Sequence, residues 1–227
     1  MNPEISNIQK TNNKLSFEIS NINYAFANAI RRIILTQVHS LAIDTVEVEL
    51  NTGSIDSNSL AHRMGLIPLR YKEKLNEFNL EDECPCFNNN CENCNRILTL
   101  DVSNETGETL NIYSTDIQTT TDDIEIVHYA NEIDKEMSEK YLGHSKGILI
   151  TKLVKDQTIK LKCNVRKGNG IKHAKWSCVS KSVFQTENEK DFKFSVESIG
   201  SNKLEDIIKN TFKIFYKKLE SVKCEIF

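Results

Sequence analysis

Glycine is scarce, with eight in 227 residues, too few for the backbone cradles by which phosphate-binding loops hold nucleotides. The strings of common catalytic sites are missing as well. No His-Glu-x-x-His, Walker loop, Gly-x-Ser-x-Gly or Gly-x-Gly-x-x-Gly occurs, so an enzyme acting alone is not expected. No run approaches the ~18 uninterrupted apolar residues of a membrane helix. The opening MNPEISNIQK has no charged region followed by an apolar one, so no secretory leader is expected. A positive excess is lacking too: net charge is −3, which argues against a chain that grips nucleic acid by neutralising phosphates along its whole surface. Internal repeats and low-complexity tracts are absent. What is there is 39% hydrophobic and 27% charged, a globular composition over a length that suits one large or two modest domains.

The strongest periodicity lies in residues 23–50, NYAFANAIRRIILTQVHSLAIDTVEVEL. Phe26, Ile30, Ile33, Ile34 and Val38 fall on one helical stripe, with Arg31 and Arg32 on its flank. Asn23 is placed to cap the helix, its amide oxygen accepting from an orphan N–H of the first turn. After Ser40 the period becomes two, with Val46, Val48 and Leu50 apolar, which predicts a half-buried strand. Alternation also predicts strands over 14–20, 147–154, 157–165, 175–184 and 191–198, and a hairpin from 97–102 and 109–114. A short helix should end at Met64, with Gly65 as its terminator and Pro68 forbidding continuation. His62, in that helix, has no second ligand at metal spacing and reads as a partly buried structural residue. Residues 115–144 are polar with little periodicity and read as a surface excursion or mobile loop.

The last stretch carries a near-heptad seam: Leu204, Ile207, Ile208, Phe212, Phe215, Leu219 and Val222. Two readings of the helices at 24–38 and 203–222 stand level. They bury each other or cover a sheet built from strands 14–20, 44–50 and 191–198, or they meet equivalent helices of a partner in an intermolecular four-helix contact.

Seven cysteines is an odd number, and four crowd into Cys84-x-Cys86-x4-Cys91-x2-Cys94. That is metal arithmetic in a reducing compartment, unlike a disulfide framework. Four thiolates can close a tetrahedron around Zn2+, with no open position for water, so the site would be structural. An iron–sulfur cluster also takes four thiolates, but the short spacing favours zinc. The loop offers Phe87 alone to bury, so metal would supply its folding energy, about 10 kcal/mol in small zinc peptides. Glu81, Asp82, Glu83 and Glu92 beside a dianionic zinc–thiolate centre would repel phosphate. The knuckle therefore reads as protein-facing or purely structural.

Between Lys152 and Lys181 basic residues dominate: Lys152, Lys155, Lys160, Lys162, Arg166, Lys167, Lys172, Lys175 and Lys181. Aromatics for base stacking are missing apart from Trp176. A patch near nucleic acid, a dock for an acidic neighbour and the solvated face of two strands all fit, and the last is the reading adopted.

In order along the chain, FANAIRRIIL, LAIDTVEVELNT, LAHRMGLIPL and GIKHAKW resemble the family that unites the third-largest subunit of eukaryotic RNA polymerase II, the archaeal D subunit and the bacterial alpha amino-terminal domain. The resemblance covers residues 15–222. It implies an α+β fold: a discontinuous alpha-like dimerisation domain of sheet plus two helices at 1–48 and 189–227, and an inserted, mainly β domain at 49–188 carrying a zinc loop at 84–94. It implies structural zinc on Cys84, Cys86, Cys91 and Cys94, although the family's middle spacer is one residue shorter. The helices at 24–38 and 203–222 would be the dimerisation helices, so Phe26, Ile30, Ile34, Leu204, Ile208, Phe212, Phe215 and Leu219 would meet a partner. Arg31 and Arg32 match the family's Arg-Arg and would contact the large subunit, since arginine forks suit buried carboxylates and carbonyls. His173 and Trp176 would pack and dock at a subunit contact.

The implied function is a non-catalytic assembly subunit of a multisubunit DNA-directed RNA polymerase. Its partners would be a smaller alpha-like subunit (the eleventh in polymerase II), the second-largest subunit, and the small zinc-binding tenth and twelfth subunits. DNA would be met only through the complex, and no membrane is implied. The four cysteines match the polymerase II form rather than the one shared by polymerases I and III. The alternative is a free-standing zinc-stabilised adaptor with an alpha-like fold. The chain is shorter than nuclear relatives, chiefly after Phe184, which leaves a minimal eukaryote or a large DNA virus as sources. Location would be the nucleus for a cellular eukaryote, or host cytoplasm or virion otherwise, intracellular in each case.

Overall fold

A computed structural model describes residues 2–72, 75–86, 91–129, 132–142 and 147–226. In chain order they form strands β1 (Glu4–Lys10) and β2 (Lys14–Ser20), helix α1 (Tyr24–Thr36), strand β3 (His39–Asn51), helix α2 (Ser57–Gly65) and strand β4 (Leu69–Tyr71). Strands β5 (Arg96–Asn104), β6 (Leu110–Tyr113), β7 (Gln118–Thr119) and β8 (Ile124–Ile126) lead to helix α3 (Glu132–Leu142). Strands β9 (Leu149–Leu153), β10 (Gln157–Asn169), β11 (Val179–Asn188) and β12 (Asp191–Ser198) and helix α4 (Leu204–Ile226) follow. The fold is mixed α and β.

Two compact units divide the chain: Met1–Ser40 with Asn169–Phe227, and Leu41–Gly168. Strand β11 lies in the terminal unit because it pairs along its length with β12.

The terminal unit is a four-stranded antiparallel sheet in the order β1-β2-β12-β11. Register sets Phe17 opposite Phe194 and Leu15 opposite Val196, and the two phenyl rings stack with centroids 5.1 Å apart. Helix α1 starts where Asn23 predicts: its side chain accepts from the Phe26 N–H at 2.8 Å. The α1 stripe then packs with the inward faces of β2 and β12, burying Ala27, Ile30 and Ile34 in one core with Leu204 and Ile207 from the first turns of α4. Each such isoleucine contributes roughly 1.5–3 kcal/mol by leaving water. The turn after β10 comes close to the end of α1: a Cβ on Gly170 would lie 2.9 Å from the Leu35 carbonyl, and the Ile171 N–H donates to the Thr36 carbonyl at 2.9 Å.

The inserted unit holds a six-stranded sheet, β7-β5-β10-β3-β4-β8, and a two-stranded one, β6-β9. Leu41, Ile43, Leu98, Leu100, Ile159 and Leu161 supply much of its core. Asp56 caps α2 by accepting from the N–H groups of Asn58 and Ser59. The Arg63 guanidinium ties the same helix to the Leu149 and Ile150 carbonyls, each at 2.9 Å.

Several expectations are corrected here. The 97–114 hairpin does not form, because β5 pairs with β10 and β7 while β6 pairs with β9. Asn104 turns the chain between them, its amide donating to the Glu108 and Leu153 carbonyls at 2.8 and 2.9 Å. Strand β3 belongs to the inserted sheet, not beside β2 and β12. Residues 115–144 are not simply a loop, for they include β7, β8 and α3, with Ile117, Ile124 and Ile126 in the core. Residues 130–131 and 143–144 of that stretch lie outside the described residues. His62 is exposed rather than partly buried. Acids from elsewhere in the chain meet the basic stretch, whose lysines remain largely solvated. Lys160 pairs with Glu49 at 3.1 Å and Asp101 at 3.9 Å, and Lys162 with Glu47 at 3.5 Å, acids that arrive from β3 and β5.

Candidate metal centre and partner-facing helices

The four clustered cysteines converge. Their sulfurs all lie within 4.8 Å of one another, with Cys84–Cys91 at 3.4 Å and Cys86–Cys94 and Cys91–Cys94 at 3.5 Å. These separations are far beyond a disulfide bond. They approach the ~3.8 Å edge of a tetrahedron built on Zn–S bonds of about 2.3 Å, so the donor set fits a closed four-thiolate site.

Local hydrogen bonding builds half of the cage. The N–H groups of Cys94 and Asn95 both donate to the Cys91 carbonyl, at 3.1 and 3.0 Å, which folds Cys91-x-x-Cys94 into a tight turn with both sulfurs on one side. Cys94 is buried and the other three are half-buried. The Cys86 thiol is pulled down to about 6, chiefly by its hydrogen bond with Cys84 and also by the Cys91 backbone. Burial pushes the Cys94 thiol up. Residues 87–90, including Phe87, lie outside the described residues.

Charged residues fix this turn and its surroundings in place, and Arg96, Asp123 and Asp44 among them were not singled out by the sequence. The Arg96 guanidinium pairs with Asp123 at 2.6 Å, donates to the carbonyls of Glu92 and Asn95, and sits 5.3 Å over the Phe78 ring. Burial raises the Asp123 carboxyl, but hydrogen bonds from Arg96 and Thr121 outweigh it and hold the group below its usual range. From β10, Arg166 pairs with Glu81 and Asp44, and the Lys167 ammonium donates to the Leu75 and Phe78 carbonyls at 3.0 and 2.7 Å. No local spacing announces these partners, which are separated by up to 122 residues of sequence (44 to 166).

The predicted partner-facing residues separate into two groups. Ile30, Ile34 and Leu204 are buried in the chain's own core, so their side chains are taken up by the sheet. Phe26, Ile208, Phe212 and Phe215 remain half-buried, with Phe26 and Phe215 meeting edge to face at 4.8 Å. Beyond them α4 carries its seam into solvent: Leu219 and Val222 are 55 and 52% exposed, and Tyr216 beside them is 62% exposed. Arg31 is half-buried and held by the Asn28 side chain at 2.9 and 3.1 Å, while Arg32 is exposed. A cleft of about 500 Å³ opens beside Phe26, lined also by Pro3, Ile22, Glu189 and Lys190.

His173 is exposed, its Nδ1 accepting from the Lys175 N–H at 3.0 Å. Trp176 is buried, with the Lys175 and Lys172 ammonium groups 4.3 and 5.3 Å from its ring centre. The Ser40 hydroxyl donates to its carbonyl at 2.6 Å. A Ser114–His128 contact of 2.8 Å looks like half of a nucleophile–base pair. Ser114 is buried, however, and its hydroxyl also accepts from the Ile148 N–H at 3.0 Å. That arrangement is a latch, with no access for substrate.

Comparison with known proteins follows this geometry. Residues 46–188 match the family model described as the RNA polymerase Rpb3/RpoA insert domain. The chain is 34% identical to a conjugation stage-specific protein of Tetrahymena thermophila, over 82% of this chain and 60% of that protein. It is 32% identical to DNA-directed RNA polymerases II, IV and V subunit 3 of Arabidopsis thaliana, over 82% of this chain and 57% of the relative. It is 31% identical to DNA-directed RNA polymerase subunit Rpo3 of Methanocaldococcus jannaschii, over 87% of this chain and 82% of the relative. The chain thus spans less than two thirds of the two eukaryotic proteins and most of the archaeal one. On the match across residues 46–188 and the near end-to-end similarity to the archaeal subunit, the chain belongs to the Rpb3/RpoA family of RNA polymerase subunits.

Proposed function

We propose that this chain is an assembly subunit of a multisubunit DNA-directed RNA polymerase and supplies no catalytic group of its own. The observation that carries the proposal is the exposed apolar seam on α4, continuous through Phe215 and Phe26 with α1. A soluble chain that leaves Leu219 and Val222 in water offers them to a partner. The partner is a smaller alpha-like subunit whose helices complete a four-helix contact. Its contact residues are Phe26, Ile208, Phe212, Phe215 and Leu219, while Ile30, Ile34 and Leu204 stiffen the platform from below. Arg31 and Arg32 dock the second-largest subunit, and His173 lies on a further subunit contact that Trp176 supports from inside. The terminal unit is the dimerisation domain. In the inserted unit Cys84, Cys86, Cys91 and Cys94 would hold structural zinc, which would stabilise the loop with all four positions taken by protein ligands. In a cellular eukaryote the assembly works in the nucleus.

The test is affinity purification of the full-length protein from its own cells, with stoichiometry read by mass spectrometry. Large polymerase subunits should accompany it in fixed ratio. Recovery without them would favour a free-standing zinc adaptor and overturn the proposal.

A further inference from the structure

We infer that the α4 face excludes a second copy of this chain by its charge and selects a partner whose helix carries acidic residues beside its apolar stripe. The inference rests on the partner-facing role proposed for this face and adds the chemistry of the partner. Between Lys209 and Lys223 the helix carries Lys209, Lys213, Lys217, Lys218 and Lys223 against the single acid Glu220, and all six side chains are exposed. Glu220 is engaged with Tyr216 on its own helix. Further up, Glu205 is engaged by Lys10. On an α-helix of 3.6 residues per turn, Lys218 falls on one side of the Phe215–Leu219–Val222 line and Lys209 and Lys223 on the other. These are the positions at which paired helices choose their companions by charge.

The same sign continues onto α1, where Arg31 and Arg32 are joined by no acid in the whole helix. The molecule as a whole is nevertheless acidic, at −3. The positive excess is therefore local to α1 and to residues 209–223 of α4, with Asp206 and Glu225 lying on either side of that stretch. Two copies meeting through this seam would bring like charges together around an apolar centre, while an acid-flanked helix would meet complementary ones.

The experiment uses the full chain and two variants, K218E/K223E and the neutral K218Q/K223Q. Lys218 and Lys223 are exposed, so neither change disturbs the core. Self-association and mixed association are measured by sedimentation at 0.1 M and 1 M sodium chloride, where the screening length falls from about 10 Å to about 3 Å. An equal mixture of wild type and K218E/K223E should pair about tenfold or more tightly than wild type alone at 0.1 M salt. That advantage should shrink at 1 M, and K218Q/K223Q with wild type should fall between. Equal affinities for all combinations, whether all monomeric or all dimeric, would overturn the inference. Failure to recover polymerase subunits from cells would instead strike the functional proposal and leave this comparison of isolated chains intact.

Discussion

Replacing Arg96 with methionine should both loosen the inserted unit and weaken its hold on metal. The Arg96 and Asp123 side chains keep only 13 and 15% of their exposure. Removing one partner of a buried ion pair costs about 3–5 kcal/mol, because the other charge is left uncompensated. The residual exposure admits some screening, which puts the expected loss near the lower end, about 3 kcal/mol. The guanidinium over Phe78 accounts for about 0.5–1 kcal/mol within that loss. Because Arg96 also grips the Glu92 and Asn95 carbonyls on either side of Cys94, the Cys91–Cys94 turn loses its brace. Metal affinity should fall about tenfold, the low end for an outer-shell partner.

The assay is urea denaturation followed by circular dichroism, run as a cycle with D123N, with zinc affinity read by competition against a chromogenic chelator. In the R96M background D123N should restore part of the stability by removing the stranded carboxylate. Asp123 titrates below its usual range when folded. Its pairing therefore stabilises above the unfolded carboxylate pKa and is lost as pH falls through the lowered folded value. Wild type and R96M should thus converge only in strong acid. Strictly additive losses in the cycle, together with unchanged metal affinity, would refute this role for Arg96.

Other consequences can be measured in the same chain. Burial pulls the His128 imidazole below its ordinary value, so its contribution is full above about pH 6.5 and is lost as pH falls through the folded value. H128N keeps an acceptor toward Ser114 without titrating, so urea midpoints should drop between pH 7 and 5 more steeply in wild type than in H128N. Equal slopes would discard the latch as a proton-sensitive element. Gly147 has φ +80°, and a Cβ there would lie 2.5 Å from the Ser114 hydroxyl. G147A should cost about 1–3 kcal/mol, and a change under about 0.5 kcal/mol would mean that the turn relaxes freely. Native mass spectrometry should find one zinc per wild-type chain, none on C94S and one on C163A, since Cys163 is buried apart from the cluster with its thiol pushed up to about 12. Zinc retained on C94S would exclude the four-thiolate site.

What was legible in the sequence was local. The Asn23 cap, the α1 stripe and the near-heptad of α4 depend on residues three or four apart, and each element stands where that spacing puts it. The four cysteines were equally readable, since they lie within eleven consecutive positions. Long-range pairing was not. The lysines of β10 stood out as a basic excess because their acids sit more than a hundred residues earlier on β3, or on β5. The β6–β9 pairing depends on Asn104 bonding to the Leu153 carbonyl, 49 residues away. Nor could periodicity apportion an apolar stripe between the chain's own sheet and a partner. Ile30 and Leu219 both belong to such stripes, yet one is buried and the other is 55% exposed. The difference arises because α4 runs on past the core that receives its first turns.

Whether that overhang is an assembly surface can be measured by amide hydrogen exchange across α4, comparing the isolated chain with the assembly purified from cells. Assembly should slow exchange over residues 212–223 and over the first turns of α1, while the interior of β12, already paired on both sides, changes little. Exchange along 212–223 that is as fast in the assembly as in the isolated chain would contradict the claim that this seam holds the partner.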